Sequence, residues 1–222
     1  MKNRKQKSFF FRNGLSLAFL ILFILSFAGQ AITGRKELNE LLKDHGRQEI
    51  SFSEYFTSGH FIEATFENWE SEFLQIGLFV VLTIILRQEG SSESKKLSSK
   101  EEVDRKPRSH PNAPSPVIKG GWRLQIYSQS LTIALFLLFI FSFILHWYGS
   151  WLHYNLEQNL EGKNSIPFID HIFGNTFWFE SLQNWQSEFL SVFALIFLSI
   201  YLRQKGSPQS KPVDAPHKET GE

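Results

Sequence analysis

The chain carries the same pattern twice, at a constant offset of 116 positions. The segment Asn68–Leu74 reads NWESEFL and recurs as NWQSEFL over Asn184–Leu190. Further anchors keep this offset without a gap: Ser26-Phe27 with Ser142-Phe143, Asn39 with Asn155, Leu86-Arg87-Gln88 with Leu202-Arg203-Gln204, and Gly90-Ser91 with Gly206-Ser207. Residues 1–112 and 113–222 are therefore two copies of one unit, and we expect both copies to fold alike.

Each copy holds two apolar runs. The first, residues 15–32, and its partner, residues 130–148, contain no Asp, Glu, Lys or Arg and reach the length of a transmembrane helix. The second runs, 73–86 and 189–202, have 14 uncharged residues each, about 21 Å of helix against about 30 Å of hydrocarbon. They span a bilayer only if the preceding Trp-containing segment lies in the interface or the bilayer thins locally.

These patterns predict an all-α membrane protein with four transmembrane helices, arranged as two tandem two-helix repeats in parallel orientation. The first repeat unit covers residues 1–88, with spans at about 15–33 and 69–87, and the second covers 122–205, with spans at about 128–148 and 185–203. A disordered cytoplasmic linker at 89–121 joins the two units. A disordered cytoplasmic tail follows at 206–222. Linker and tail are rich in polar residues and Pro and contain no aromatic residue, so they cannot bury a core.

The outer loop of each copy is expected to be ordered. Gly46 and Gly162 mark turns after a short polar helical run. A long helix should then run from about 60 to 87, and its copy from about 176 to 203, with Ser58 and Asn175 as N-caps.

A secretory leader is the competing interpretation of the first run. Lys2, Arg4, Lys5 and Lys7 precede it, as in a signal peptide. The run is longer than a usual leader core of about 7–15 residues, and its partner lies in mid-chain. We therefore expect a retained membrane anchor.

The basic residues are distributed unevenly between the two predicted sides of the membrane. Eighteen of the 23 Lys and Arg residues lie before the first span, between the second and third, or after the fourth, and five lie in the two other loops. The positive-inside rule places the N- and C-termini and the linker in the cytoplasm.

Composition and motifs argue against several functions. The chain has no Cys and a formal net charge of +1, so thiolate chemistry is excluded and nothing draws the chain as a whole to nucleic acid. Its seven His are scattered, and the sequence has neither a phosphate-binding glycine loop nor the motifs of serine hydrolases or zinc proteases. We expect no enzymatic activity, no metal and no cofactor.

The best candidate site is a polar stripe at the outer end of the second helix of each copy. Its residues are Asn68, Trp69, Glu72 and Gln75, repeated as Asn184, Trp185, Glu188 and Ser191. Glu72 and Glu188 could face each other and share a proton or bind a cation. The interpretation we favour is that they lie at headgroup level, where they stabilise the ends of their helices beside the Trp anchors.

The paired N-W-E/Q-S-E-F-L box, followed by R-Q-x-G-S-x-x-S-K, resembles a family of small bacterial integral membrane proteins of unknown function. The resemblance covers almost the whole chain and departs from the family pattern at Ser92 and Gln209. It implies the fold, a membrane location and a bacterial source, but no activity.

We therefore expect a multi-pass inner-membrane protein with a structural or interaction role. Its partners would be the lipid bilayer and a second copy or another membrane protein. The alternative is a small ion or proton transporter or channel that uses Glu72 and Glu188.

The predicted topology can be tested by thiol labelling, because the chain has no native Cys. In intact spheroplasts, an impermeant thiol reagent should label Gly162→Cys and leave Ser99→Cys unlabelled, because the two positions lie on opposite sides of the membrane. Equal labelling of both variants would contradict the topology.

Overall fold

The structure, a computed structural model, describes residues 8–221, which form helices and turns but no strand. The helices are α1 (Phe9–Asp44), α2 (Phe52–Tyr55), α3 (Gly59–Ile85), α4 (Ser115–Lys119), α5 (Gly121–Ser128), α6 (Ser130–Leu160), α7 (Phe168–His171) and α8 (Asn175–Tyr201), with one 3-10 turn at Glu102–Asp104. The expected all-α class is confirmed for this part of the chain.

Three helices are long and apolar enough to cross a membrane: α1, α3 and α6. Helix α1 has 36 residues, about 54 Å at 1.5 Å per residue, so it exceeds the hydrocarbon thickness of about 30 Å. Helix α8 has the same 27-residue length as α3, but it is not among the three. Three candidate spans are therefore established, and the fourth stays a prediction.

The turns after α1 and α6 are built in the same way. Gly46 and Gly162 adopt positive φ angles of 69° and 72°, which side chains with a Cβ disfavour. The next amide bonds back to the last helical turn in each case, Arg47 N to Leu42 O and Lys163 N to Gln158 O, both at 2.8 Å. This is the Schellman arrangement that ends a helix at a glycine, and it confirms both predicted turns.

An asparagine then holds the returning loop against each helix. Asn39 Oδ1 accepts from Ile50 N at 2.8 Å while its Nδ2 donates to Ile50 O. Asn155 makes the same two bonds to Ile166. Helices α2 and α7 follow at once, and the bounds of α7 and α8 lie 116 residues after those of α2 and α3.

The start of the long helix was predicted correctly in one copy and wrongly in the other. Ser58 Oγ accepts from Phe61 N at 3.2 Å, as expected of an N-cap. In the second copy the N-cap is Gly174, without a side-chain bond, and Asn175 is already the first helical residue. The predicted N-cap, Asn175, is therefore one residue too late, and the true N-cap, Gly174, has no side chain that could accept a bond.

The contacts divide the chain into two units that differ from the two sequence copies. The first unit comprises residues 8–64 and 148–167, and the second comprises 65–147 and 168–221. The core of the first unit is formed by apolar side chains of α1, α2 and α3: Ala31, Leu38, Leu42, Tyr55 and Phe61.

Two glycines of the first unit bring α3 and α6 into backbone contact. A Cβ on Gly149 would lie 2.3 Å from Glu63 N, and one on Gly59 would lie 2.4 Å from His153 N. Neither separation is possible for real atoms, so only glycine fits at these two positions. Close approach at small residues is a typical way for helices to associate in lipid.

In the second unit, part of the predicted linker bonds to the C-terminal segment and to α8. Gly90 N donates to Thr220 Oγ1 at 2.8 Å, and Gly221 N donates to Ser91 O at 3.1 Å. The Ser91 hydroxyl lies 2.9 Å from that of Ser199. The disorder expected of linker and tail concerns motion and stays a prediction.

The glycine contact yields a stability prediction. Gly149→Ala should lower the free energy of unfolding by about 1–3 kcal/mol, because the new methyl group forces the two backbones apart. Gly29→Ala is the matched control, since nothing lies within 4 Å of its Cβ position. The control should change stability by no more than about 1 kcal/mol, in the stabilising direction. Unfolding in detergent measures both, and equal values would contradict the predicted crowding at Gly149.

Candidate functional site

The predicted polar stripe is only partly buried. Asn68, Glu72 and Ser191 are exposed, and Trp69, Gln75, Asn184, Trp185 and Glu188 are half-buried. The structure brings the two halves of the stripe together at Gln75. Its Nε2 donates to Ser191 Oγ at 3.0 Å and to the Glu188 carbonyl oxygen at 3.2 Å.

No hydrogen bond joins the Glu72 and Glu188 side chains in the described part of the chain. The buried carboxylate of this stretch of α3 is instead that of Glu70, two residues earlier, with no exposed surface. Whether Glu72 and Glu188 act together stays a prediction, while Glu70 is a site residue that the sequence did not single out.

Both oxygens of Glu70 have partners inside the second unit. Oε1 accepts from Trp185 Nε1 on α8 at 2.9 Å. Oε2 lies 2.7 Å from His146 Nδ1 on α6. An indole N–H can only donate, so Trp185 favours a Glu70 that keeps Oε1 free of a proton. One carboxylate therefore connects three helices.

His146 is fully buried and lies between two carboxylates. Its Nδ1 contacts Glu70, and its Nε2 lies 3.4 Å from Glu180 Oε2 of α8, a distance typical of an ion pair, but without hydrogen-bond geometry. The ring of Phe177 packs beside the imidazole with centroids 4.9 Å apart. The Glu180 side chain retains 18% of its exposure, so of the two carboxylates it is the one that reaches the surface of the chain.

Further polar groups surround this Glu70–His146–Glu180 cluster. Glu67 accepts a hydrogen bond from Asn184. His171, on α7, is buried, and burial lowers its pKa more than the nearby Glu180 raises it. His171 is therefore neutral at pH 7 and adds no positive charge to the cluster.

Two more histidines pair with polar groups in the first unit. His153 Nδ1 lies 2.6 Å from Glu63 Oε2. His60 Nδ1 lies 3.1 Å from the hydroxyl of Tyr55, and the two imidazole rings are 5.0 Å apart. Burial, reinforced by Glu37, raises the pKa of Tyr55 to about 12. Tyr55 therefore keeps its proton over the physiological range.

None of these clusters is arranged as a metal site. Within residues 8–221, no three His, Asp or Glu side chains converge as metal ligands. In the Glu70–His146–Glu180 cluster the reason is geometric, because the two carboxylates contact different nitrogens on separate sides of the ring. The expected lack of cofactor and of enzymatic activity stays a prediction.

One sequence signal could have identified Glu70. The two boxes differ at a single position, where Glu70 in the first copy corresponds to Gln186 in the second. Ionisable residues within membrane helices are expensive and commonly functional, although Glu70 shares its half of α3 with Glu63, Glu67 and Glu72. His146 carries the same signal, because it interrupts the third apolar run and corresponds to Gln30.

An all-helical chain with three helices long and apolar enough to cross a membrane has the character of a membrane protein. The chain belongs to the family described as Domain of unknown function (DUF6766), which matches residues 6–222. The expected membership of a family of unknown function is confirmed, while the duplicated box as a family feature and the bacterial source stay predictions. Comparisons with curated proteins and with solved structures gave no match.

The contact between Trp185 and Glu70 yields a second stability prediction. Trp185→Phe keeps the aromatic volume but removes the donor to Oε1, so it should cost about 1–3 kcal/mol of unfolding free energy. Trp122→Phe, at a 66% exposed residue of α5, should change stability by less than about 0.5 kcal/mol. Thermal unfolding in detergent compares the two variants, and a similar small effect from both would show that this bond does not stabilise the protein.

Proposed function

We propose that the protein is a non-enzymatic multi-pass membrane protein with a structural and interaction role. Four spans, α1, α3, α6 and α8, would form two tandem two-helix repeats inserted in the same orientation. The support is an offset of 116 residues that recurs at three levels. It relates the two sequence copies, the bounds of α2 to those of α7 and of α3 to those of α8, and the loop bond of Asn39 to that of Asn155.

The proposed location is the inner membrane, with both termini in the cytoplasm. The 18-to-5 distribution of Lys and Arg supports this orientation. Arg87 and Arg203 follow the ends of α3 and α8 and donate to the last carbonyls of their own helices. Long basic side chains at such ends can reach the headgroup layer.

The proposed lack of enzymatic activity is supported by the partners of the polar groups, which are other groups of the protein. The most buried carboxylate, Glu70, has both oxygens engaged by protein groups, and Gln75 of the predicted stripe bonds to the neighbouring helix. Such interhelical bonds hold membrane helices together. Carboxylates used in this way stabilise the contacts between helices.

The interaction role is carried by one observation, the uncovered N-terminal half of α1. From residue 9 to residue 26, every residue except Leu17 is exposed, and the segment is almost entirely apolar. The C-terminal half of the same helix, by contrast, is packed in the core of the first unit through Ala31, Leu38 and Leu42. An apolar surface of this extent is typical of lipid or partner contact.

We infer that the partner is a second copy of this chain. Gly14 and Ala18 are four residues apart on one face of the uncovered half of α1, and neither is covered by other parts of the chain. Small residues at this spacing let two identical helices approach closely, which is where dispersion contacts between membrane helices are strongest. Lipid would cover the remaining faces.

Cross-linking in the membrane tests this interface. Ala18→Cys should form a disulfide-linked dimer on mild oxidation, because the two copies of α1 place this position face to face. Leu38→Cys is the control, since Leu38 is 1% exposed and should stay monomeric. Adding Gly14→Ile to Ala18→Cys should suppress the dimer by blocking close approach.

The outcomes separate the possible partners. A cross-link to a different protein would replace the second copy by another membrane protein and keep the interaction role. A chain that stays monomeric at every cysteine position along residues 9–26 would contradict that role.

The second candidate function is proton or ion transport through Glu72 and Glu188. The structural observation that favours transport does not involve this pair. It is the buried His146, which lies between Glu70 and Glu180.

A further inference from the structure

We propose that Glu180, His146 and Glu70 form a proton-transfer relay, so that the protein conducts or couples to protons. The proposal adds an activity to the proposed interaction role and rests on its membrane location. Ionisable groups buried within membrane helices commonly serve as proton relays, because their burial is costly unless it is used. The geometry of the cluster points to this use.

The histidine ring has a carboxylate at each nitrogen. Nδ1 lies 2.7 Å from Glu70 Oε2, within hydrogen-bond distance. Nε2 lies 3.4 Å from Glu180 Oε2, so a small side-chain movement brings this pair into bonding range as well. A static ion pair needs one carboxylate for one imidazolium, whereas a relay needs one on each side to deliver and to receive the proton.

Each transfer step balances in protons. Glu180 in its acid form gives its proton to Nε2 of a neutral ring that already carries a proton on Nδ1. The imidazolium so formed releases the Nδ1 proton to Glu70 Oε2, and Glu180 is left as a carboxylate. One proton has then moved from Glu180 to Glu70, and the ring has changed tautomer. Reorientation of the ring between transfers restores the starting tautomer, whereas the reverse transfer would only return the proton to Glu180.

The two carboxylates differ in their access to solvent. Glu70 has no exposed surface, whereas the Glu180 side chain retains 18%. Glu180 is therefore the entry side, at which a proton arrives from outside the chain. Glu70 is the inner acceptor, and the Trp185 N–H holds its other oxygen as an acceptor, so the arriving proton is placed on Oε2.

Two buried hydroxyls beside the cluster provide independent support. Ser142 lies one helical turn before His146 on α6, and Ser181 lies on α8 one turn after Phe177 and one turn before Trp185, so each shares the cluster-facing side of its helix. Both residues are at most 1% exposed, and neither hydroxyl has a hydrogen-bond partner within residues 8–221. A hydroxyl can both accept and donate, so both are suited to extend the relay.

The equivalent positions of the repeat carry no charge. The residues 116 positions from Glu70, His146 and Glu180 are Gln186, Gln30 and Ala64. A cluster that served only to hold helices together could use the same neutral side chains in both copies. The charged trio occurs once and therefore carries a requirement beyond packing.

The titratable groups that face the relay come from three helices. Helix α3 contributes Glu67 and Glu70, α8 contributes Glu180, and α7 contributes His171, which is neutral at pH 7. When protonated, His146 is the one positive group that the described residues bring to these three carboxylates. This excess of negative charge favours the arrival of a proton.

Proton flux into liposomes tests the relay. The full chain is reconstituted with an internal pH-sensitive dye, and a potassium gradient with valinomycin drives protons inward. Wild type should acidify the lumen well above empty liposomes. His146→Gln should lower the flux by about a hundredfold, in line with the contribution of a positioned proton-transfer group, and Glu180→Gln should do likewise.

Matched variants separate the relay from a fault in folding. His146→Gln and Glu70→Gln introduce the residue type found at the equivalent repeat position, which keeps a hydrogen-bonding side chain in place, and thermal unfolding shows whether each variant is folded. If His146→Gln fails to fold, the flux of Glu180→Gln tests the relay instead, because Glu180 is partly exposed and its replacement disturbs the core less. His110→Gln, an exposed linker residue, should conduct like wild type.

Four results would overturn the relay or its basis. Wild-type flux no greater than that of empty liposomes excludes proton transfer. Folded His146→Gln and Glu180→Gln variants that conduct like wild type exclude these residues. If Glu72→Gln lost its proton flux while the His146 and Glu180 variants kept theirs, transport would be assigned to the predicted Glu72 and Glu188 pair. Protein that does not float with the liposomes would instead refute the membrane location, which is a separate failure.

Discussion

The bond between the Glu70 carboxylate and the His146 ring is the contact on which the second unit depends. Both groups are fully buried, and taking an ion out of water costs several kcal/mol unless its partners are well placed. Because Glu70 and His146 lie on different helices, this requirement fixes how α3 and α6 are rotated and aligned. Trp185 and Glu180 then set α8 by the same logic, since each supplies a partner to the pair.

In the first unit, α3 and α6 are held together by a polar pair and by close backbone contact. Glu63 and His153 form a short polar pair, and Gly59 and Gly149 remove every side-chain atom where α3 and α6 touch. In lipid there is little hydrophobic gain from bringing two apolar helices together, so close packing at small residues and polar bonds decide the association. Both units join α3 to α6 through a Glu–His pair.

The two sequence copies share a backbone plan and differ in charge. The glycine turns at Gly46 and Gly162 and the Asn39 and Asn155 loop bonds recur at equivalent backbone positions, because they depend on local geometry that both copies retain. The Glu70–His146–Glu180 cluster does not recur. The cluster draws Glu70 from the first copy and His146 and Glu180 from the second, so a duplicated scaffold can hold one charged cluster that the repeat does not duplicate.

The sequence alone determined the features that depend on neighbouring residues: the apolar helices, the glycine turns, the Ser58 cap and the offset between the copies. It did not determine which acidic residue of the box is buried. Glu70 and Glu72 are about 200° apart around a helix with 100° per residue, so only one of them can face inward. The stripe of Asn68, Glu72 and Gln75 indicated the wrong face for the buried charge. The rotation of α3 is decided by partners on α6 and α8 that are distant in sequence, and only the tertiary structure brings them to Glu70.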